Sequence, residues 1–158
     1  MTPKIKEYPI LKVIGLSTHI KLNEQHKIPM LWKLFMPRKQ ELKHLVSNEL
    51  IAMQIFSLSQ NGKPKEEFEI WACAEVNDFT DIPLDMKSFT IPSGKYAVFV
   101  HKGMDASKTY QQIMTEWLPT SGYEIDDRPH FQIMGATYKN GSSDSEEDFY
   151  VPIVTIKE

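Results

Sequence analysis

Two carboxylates stand beside aromatic residues in stretches that read as β-strands. Glu75 comes four positions after Trp71, and Asp148 comes two positions before Tyr150. Because alternate side chains of a strand lie on one face, each acid shares a face with its aromatic neighbour. A carboxylate among aromatic ring faces is the chemistry that attracts a lipophilic cation. The alternative is a surface role, with Asp148 at the end of an acidic loop and Glu75 as a charge at a strand end.

The chain also holds many side chains that adapt to apolar ligands: three Trp, six Tyr, eight Phe and eight Met. Methionine follows irregular apolar surfaces because it is flexible and polarizable. Four aromatic residues on two predicted helices are candidate walls of a ligand site: Trp32, Phe35, Tyr110 and Trp117. Packing against a sheet is the default role of such residues, so both interpretations stay open. Gln132 and Met134, on one predicted strand, complete the candidate ligand-binding set.

The sequence contains no recognisable catalytic or metal-binding pattern. Its five histidines lack metal-ligand spacing, and the single cysteine, Cys73, cannot complete a zinc site. Neither a phosphate-binding loop nor a Gly-x-Ser-x-Gly elbow occurs. We therefore predict no catalytic residue, no metal site and no cofactor.

The length and the net charge of the chain limit the class of protein to which it can belong. A chain of 158 residues fits one domain over 1–158. The net charge of −3 argues against direct binding of nucleic acid, since phosphate contacts require a basic face. No apolar run approaches the ~20 residues of a bilayer span, and the N-terminus lacks the apolar core of a secretory signal. With one cysteine and thus no internal disulfide, we expect a cytoplasmic protein without a membrane partner.

Four elements are predicted in the first half: a strand over 8–20, a helix over 28–45, and strands over 50–58 and 68–76. Gly15 is interpreted as the site of a bulge in the first strand. Pro37 is expected to kink or divide the helix. Asn61-Gly62 is a hairpin signal between the last two strands.

The second half repeats this order: a strand over 89–101, a helix over 105–117, and strands over 131–138 and 149–156. Asp105 is the candidate N-cap of the helix, and Pro119 is expected to end it. Asn140-Gly141 is again a hairpin signal, half a chain away from the first. Chance recurrence of Asn-Gly turns is the alternative to duplication.

These patterns predict an α+β fold made by tandem duplication of a strand–helix–strand–strand unit. The pseudo-repeat halves would span about 1–80 and 88–158. We expect antiparallel sheets with two main helices. Because each unit has one helix to cover its sheet, the two units must share a surface, which places a cleft between the halves. Clefts of this kind are the usual location of small-molecule sites.

The signals between 91 and 153 occur in a distinctive order. A turn, Ile91-Pro92-Ser93-Gly94, leads into a strand, and a helix ends in Trp117-Leu118-Pro119. Two strands follow, His130-Phe131-Gln132-Ile133-Met134 and Asp148-Phe149-Tyr150-Val151-Pro152-Ile153. Together they resemble the effector-binding domain of the GyrI-like superfamily, the small-molecule module of some AraC- and MerR-type regulators, which also exists as free-standing proteins. The resemblance covers most of the chain and is strongest from Phe68 onward.

The resemblance implies several site residues. In the family the last strand often reads acid–apolar–aromatic–apolar–Pro, which residues 148–152 match with Asp in place of the usual Glu. The family often has an acid near Glu75, and Trp32 matches a recurrent helix position. Members that bind cationic drugs place a Glu just after an aromatic residue, where this chain has Gln132 after Phe131. This departure keeps the hydrogen bonding and loses the charge.

The resemblance further implies a stand-alone module that senses or sequesters small amphipathic or aromatic molecules, cationic ones among them. Some GyrI-like proteins hydrolyse strained electrophilic compounds, so hydrolysis is one alternative, with Asp148 or Glu75 as base and Tyr150 as proton donor. A second alternative is a protein-interaction module, as in the gyrase-inhibiting relatives. The sequence shows no helix-turn-helix pattern, so a role in transcription would require a protein partner.

Overall fold

The computed structural model describes residues 2–56, 66–102, 106–134 and 146–156. The strands are β1 (Lys4–Tyr8), β2 (Leu11–Lys21), β3 (Leu50–Ile55), β4 (Glu67–Glu75), β5 (Lys87–Ile91), β6 (Gly94–Lys102), β7 (Tyr123–Ile125), β8 (His130–Met134) and β9 (Glu146–Thr155). The α-helices are α1 (Lys27–Phe35), α2 (Ala106–Gln112) and α3 (Leu118–Ser121). Two 3₁₀ segments, Leu22–Glu24 and Met36–Glu41, flank α1, and a π-turn, Ile113–Trp117, joins α2 to α3.

The strands form one antiparallel sheet in the order β1-β6-β9-β8-β3-β4-β2-β5, with β7 paired to β9. Each half contributes three neighbouring strands, β2-β4-β3 from the first and β6-β9-β8 from the second. In both halves the strand before the helix lies outermost of the three, and the next of the three along the chain, β3 or β8, lies at the junction. The halves meet where β3 pairs with β8, with Ala52 opposite Gln132. The prediction of an α+β fold built from two strand–helix–strand–strand units is confirmed.

Both helical segments lie on one face of the sheet. Leu31 and Phe35 of α1 are buried against alternate residues of β4, including Ile70. Ile113 of the π-turn is buried against Phe149 and neighbouring residues of β6 and β9. The opposite face carries a separate buried cluster rich in aromatic side chains. The two helical segments therefore stand on either side of the β3–β8 junction and leave a space above it.

Gly15 is not at a bulge. The pairing of β2 continues without interruption through Gly15, which lies opposite Cys73 on one side and Lys87 on the other. A Cβ at this position would collide with the Ala72 carbonyl oxygen and with the Cys73 Cβ. The glycine is needed because the backbones of β2 and β4 approach closely here.

The predicted helix over 28–45 is divided, as expected from Pro37. The α-helix ends at Phe35, and a 3₁₀ segment with the proline in its first turn follows to Glu41. Leu45 lies outside the helix and forms an isolated bridge with Val76. The predicted helix was too long because Leu42 and Leu45 fit the helical period. In the structure their side chains pack inward from an extended segment that follows the 3₁₀ segment.

The second helical segment does not end at Pro119. It continues to Ser121 and stops at Gly122, which has a left-handed φ of 80°. Proline is tolerated because it occupies the first turn of α3, directly after the π-turn, where a backbone N–H has less need of an intrahelical acceptor. The candidate N-cap Asp105 lies outside the described residues.

Three further differences concern the strands. The predicted strand over 89–101 is two strands, β5 and β6, separated by Pro92 and Ser93. These strands pair with different partners, β5 with β2 and β6 with β1 and β9. Strands β1 and β7 were not predicted. Both Asn-Gly steps lie outside the described residues, while the strands that they were expected to connect do pair antiparallel.

Candidate functional site

A cleft of about 1320 Å³ occupies the space between the two helical segments, above the β3–β8 junction. Its floor is formed by alternate residues of β3, β4, β8 and β9, and its walls by α1 and α2. The volume exceeds the ~300–1,000 Å³ typical of small-molecule sites. Most of the side chains that line it are apolar, with a few polar groups among them.

Trp32 forms the wall on the side of α1. It is half-buried and lines the cleft together with Ile28 and Met36, which are its neighbours on the helix surface. The Trp32 ring packs edge-on against the ring of Phe35, with 5.8 Å between centroids and an interplanar angle of 86°. Phe35 itself is fully buried in the core below, so it supports the wall without facing the cleft.

Tyr110 forms the wall on the side of α2. Its hydroxyl lies 2.7 Å from the Nδ1 atom of His130, which is 5% exposed. Burial lowers the pKa of His130 to about 4, so the imidazole is neutral near pH 7 when its Nδ1 hydrogen-bonds with the tyrosine hydroxyl. Burial also raises the pKa of Tyr110, which keeps the hydroxyl protonated. This bond fixes the ring that lines the cleft.

Two glutamine side chains lie at the centre of the floor. The Gln54 Nε2 donates to the Gln132 Oε1 at 2.9 Å, and the Gln132 Nε2 donates to the Gln54 Oε1 at 3.0 Å. Gln54 lies on β3 and Gln132 on β8, so the pair spans the junction of the halves. Ala52, opposite Gln132 in the ladder, leaves room above the pair.

Glu147 supplies a carboxylate at the β9 side of the cleft. It is half-buried, and burial raises its pKa above the usual value of 4.5. Among the described residues it forms no ion pair. Lys33, the basic residue of the cleft lining, is exposed on α1. Its charge is screened by water more strongly than that of Glu147.

Four of the residues predicted from the sequence line this cleft: Trp32, Tyr110, Gln132 and Met134. Phe35 and Trp117 pack in the core beneath the helical segments. The Trp117 ring stacks on Tyr123 and meets Phe99 edge-on at 5.2 Å. Phe35 and Trp117 therefore pack against the sheet, which is the default role of aromatic residues on helices.

Trp71, Glu75, Asp148 and Tyr150 lie on the opposite face of the sheet. Trp71 and Tyr150 belong to the buried cluster of that face, and Tyr150 stacks on Phe131 with 4.6 Å between centroids. Asp148 and Glu75 share the faces of these two residues because they lie at alternate positions of β9 and β4. The structure therefore does not bring these four side chains to the cleft.

This opposite-face group has its own electrostatics. The hydroxyls of Tyr8 and Tyr150 lie 3.2 Å apart. Burial, the bond to Tyr8 and the negative charges of Asp148 and Glu49 all raise the pKa of Tyr150. Burial and the charge of Glu49 also raise the pKa of Glu75. A hydrolytic pairing of Tyr150 with Asp148 or Glu75 would operate here, and not on a ligand bound between the helices.

Glu147 and Gln54 were missed by the sequence analysis. The alternation along β9 was correct, since Phe149, Val151 and Ile153 share one face. The first residues of that face, Glu147 and Phe149, reach the cleft. The sequence did contain a signal for Glu147: this acid lies two positions before Phe149, and therefore on the same face of β9.

Within the described ranges, no helix is long and apolar enough to cross a membrane. The same residues contain no group of three or more His, Cys, Asp or Glu side chains placed to hold a metal ion.

Comparison with known proteins defines the class. Residues 4–153 match the family model described as integron-associated effector binding protein, and the chain belongs to this family. The transcriptional regulator BrlR of Pseudomonas aeruginosa is 30% identical over 160 residues, which cover 97% of this chain and 56% of BrlR. The chain thus spans little more than half the length of that relative.

Two solved structures show the same fold at low sequence identity. The C-terminal domain of EcmrR superposes with a TM-score of 0.68 at 18% identity, covering 98% of each chain. SAV2435 bound to tetraphenylphosphonium has a TM-score of 0.66 at 18% identity, covering 98% of this chain and 94% of that one. The GyrI-like effector-binding fold expected from the sequence is thereby confirmed.

Proposed function

We propose that this protein binds small amphipathic aromatic molecules, with a preference for cations, in the cleft between its two halves, and acts as a ligand-sensing or sequestering module. One observation carries the proposal: Glu147 is a half-buried carboxylate at the side of an apolar, aromatic-walled cleft, and it forms no ion pair among the described residues. A carboxylate in this position loses hydration without a compensating partner. A cationic ligand would supply that partner.

The aromatic walls add to the attraction. The rings of Trp32 and Tyr110 line the cleft from opposite sides. A cation over such a ring gains about 0.5–2 kcal/mol, with the larger values where water is excluded. Hydrophobic contact with the remaining apolar lining contributes roughly 25 cal/mol per Å² of buried ligand surface. A bulky aromatic cation matches all three features.

The family and the fold support this proposal. The family is named for effector binding, and SAV2435, which shares the fold, has been solved with tetraphenylphosphonium bound. In this chain the acid that faces the cleft is Glu147 on β9, while the central position on β8 carries the neutral Gln132. A charge at the side of the cleft is therefore proposed to replace a charge at its centre.

The test compares two ions of matched size and opposite charge. Tetraphenylphosphonium should raise the melting temperature, whereas tetraphenylborate should leave it nearly unchanged because Glu147 repels it. At a hundredfold excess over the dissociation constant the stabilisation reaches about 2.7 kcal/mol, which a thermal-unfolding experiment detects readily. Stabilisation by the anion alone, or by neither ion, would refute a cation-preferring cleft.

A further inference from the structure

We infer that the floor of the cleft recognises a neutral planar amide on the ligand, such as a carboxamide, a lactam or a ureide, through the Gln54–Gln132 pair. The inference rests on the proposed function, because it assigns a chemical group to the ligand of the same cleft. Its basis is the reciprocal pair of hydrogen bonds between the two side-chain amides, at 2.9 and 3.0 Å.

The pairing fixes what each amide still offers. A glutamine amide has two N–H donors and an oxygen with two acceptor lone pairs. In the reciprocal pair each side chain uses one donor and one lone pair on the other. Each therefore keeps one N–H and one lone pair for a third group. A ligand that meets the edge of this pair finds a donor and an acceptor side by side.

The location makes these groups matter for binding. Both glutamines are half-buried on the floor, at the β3–β8 junction, with the small Ala52 beside them. A ligand that fills the cleft displaces water from the free N–H and C=O groups. An amide on the ligand replaces both kinds of bond, because it also donates and accepts. An ester accepts only, so it leaves a glutamine oxygen without a donor, and a desolvated polar group left unpaired is unfavourable.

The pair also explains why the floor is not a cation site. Its two amides are neutral, so the formal charge of the cleft lining is held elsewhere. Gln132 lies opposite Phe149 on β9, and Glu147 is two residues along the same strand. The preferred ligand thus carries an amide and a basic amine on one aromatic body, the amide toward β8 and the amine toward β9.

The experiment uses 2-naphthamide and methyl 2-naphthoate, two neutral probes that share the ring system and the carbonyl and differ in the N–H donor. Isothermal titration of the full chain should show the amide binding about tenfold more tightly than the ester, the factor expected for one such hydrogen bond. In the double variant Gln54→Leu/Gln132→Leu, the two probes should bind equally. Circular dichroism checks that the variant is folded.

A second variant keeps the test informative if the double variant does not fold. Gln132→Glu keeps acceptor oxygens on a side chain of the same length, so the amide should still bind more tightly than the ester, and the new charge should tighten binding of tetraphenylphosphonium. Equal binding of the two probes to the wild type would overturn the inference while leaving the cleft and its cation preference intact. Failure of the naphthyl probes and of tetraphenylphosphonium to bind would overturn the inference together with the proposed function.

Discussion

At the scale of single residues, burial removes water from three ionisable side chains in or beside the cleft. Glu147 has a pKa raised by burial, His130 has a pKa lowered by burial, and the Tyr110 hydroxyl is tied to His130. The histidine and the tyrosine satisfy each other, whereas the carboxylate has no such neighbour among the described residues. We therefore propose Glu147 as the charged partner of a cationic ligand.

The stability of the folded protein should depend on pH through Glu147. Since its folded-state pKa is above the unfolded value of about 4.5, the folded protein binds more protons than the unfolded chain in the window between them. The free energy of unfolding should therefore fall as pH rises from 4.5 through the folded pKa, and Glu147→Gln should remove this part of the loss. Melting temperatures of both proteins between pH 4 and pH 7.5 measure it. Parallel curves would contradict the assignment.

The sequence alone does not show which of the two faces of a strand meets the cleft. Alternation correctly placed Asp148 with Tyr150, because period-two geometry is local, but it was not extended back to Glu147, which shares the face of Phe149. Which face meets the cleft depends on where the two helices pack, and that is a tertiary property. Trp32 and Tyr110 could be nominated from helical position alone, whereas Gln54 needed the β3–β8 pairing to bring it beside Gln132.

At the scale of elements, β2 and β4 lie in close contact and form the part of the sheet against which α1 packs.

The structure contains the predicted strands where the hydrophobic period was strong, as in β2, β4 and β9. Strand β1 escaped prediction because it is an edge strand with mostly exposed residues, KIKEY, and β7 because it has three residues. The true helix ends depended on the 3₁₀ and π segments, whose hydrogen bonding the side-chain period does not reveal.

Gly15→Ala tests the close approach of β2 to β4. The added Cβ has no room between the Ala72 carbonyl oxygen and Cys73, so the strands must separate locally. Overpacking of this kind typically costs about 1–3 kcal/mol, and the rigid backbone contact favours the upper end. Urea denaturation measures the loss. As a control, Gly122→Asn, with nothing within 4 Å of its added Cβ and a left-handed φ that Asn tolerates, should cost less than Gly15→Ala.

At the scale of the whole molecule, the sheet is continuous across the junction of the two halves. We propose that 1–158 is one domain built from repeat halves of about 1–80 and 88–158, and that neither half unfolds alone. Ladder hydrogen bonds between β3 and β8 and the shared cluster on the opposite face connect them. The proposed ligand cleft straddles the same junction, so we expect binding and cooperativity to have a common structural basis.

The unfolding transition reports on this cooperativity. Urea unfolding followed by tryptophan fluorescence and by far-ultraviolet circular dichroism should give coincident curves with one midpoint, as expected of a single domain. Trp32 and Trp71 report on the first half and Trp117 on the second. Replacing Trp117 by Phe should leave the remaining fluorescence transition coincident with the dichroism signal. Two separated midpoints would show that the halves are independent domains.

Ligand binding between the helices is tested by a calorimetric titration of tetraphenylphosphonium into three proteins at pH 7.5: the wild type, Glu147→Gln and Asp148→Asn. The two acids are adjacent on β9 and lie on opposite faces of the sheet, so each variant controls for the other. Our account predicts that Glu147→Gln weakens binding by about tenfold, the loss of one partly buried charge interaction, and that Asp148→Asn binds as the wild type does. Loss of binding in Asp148→Asn with wild-type affinity in Glu147→Gln would place the ligand on the opposite face and contradict the cleft between the helices.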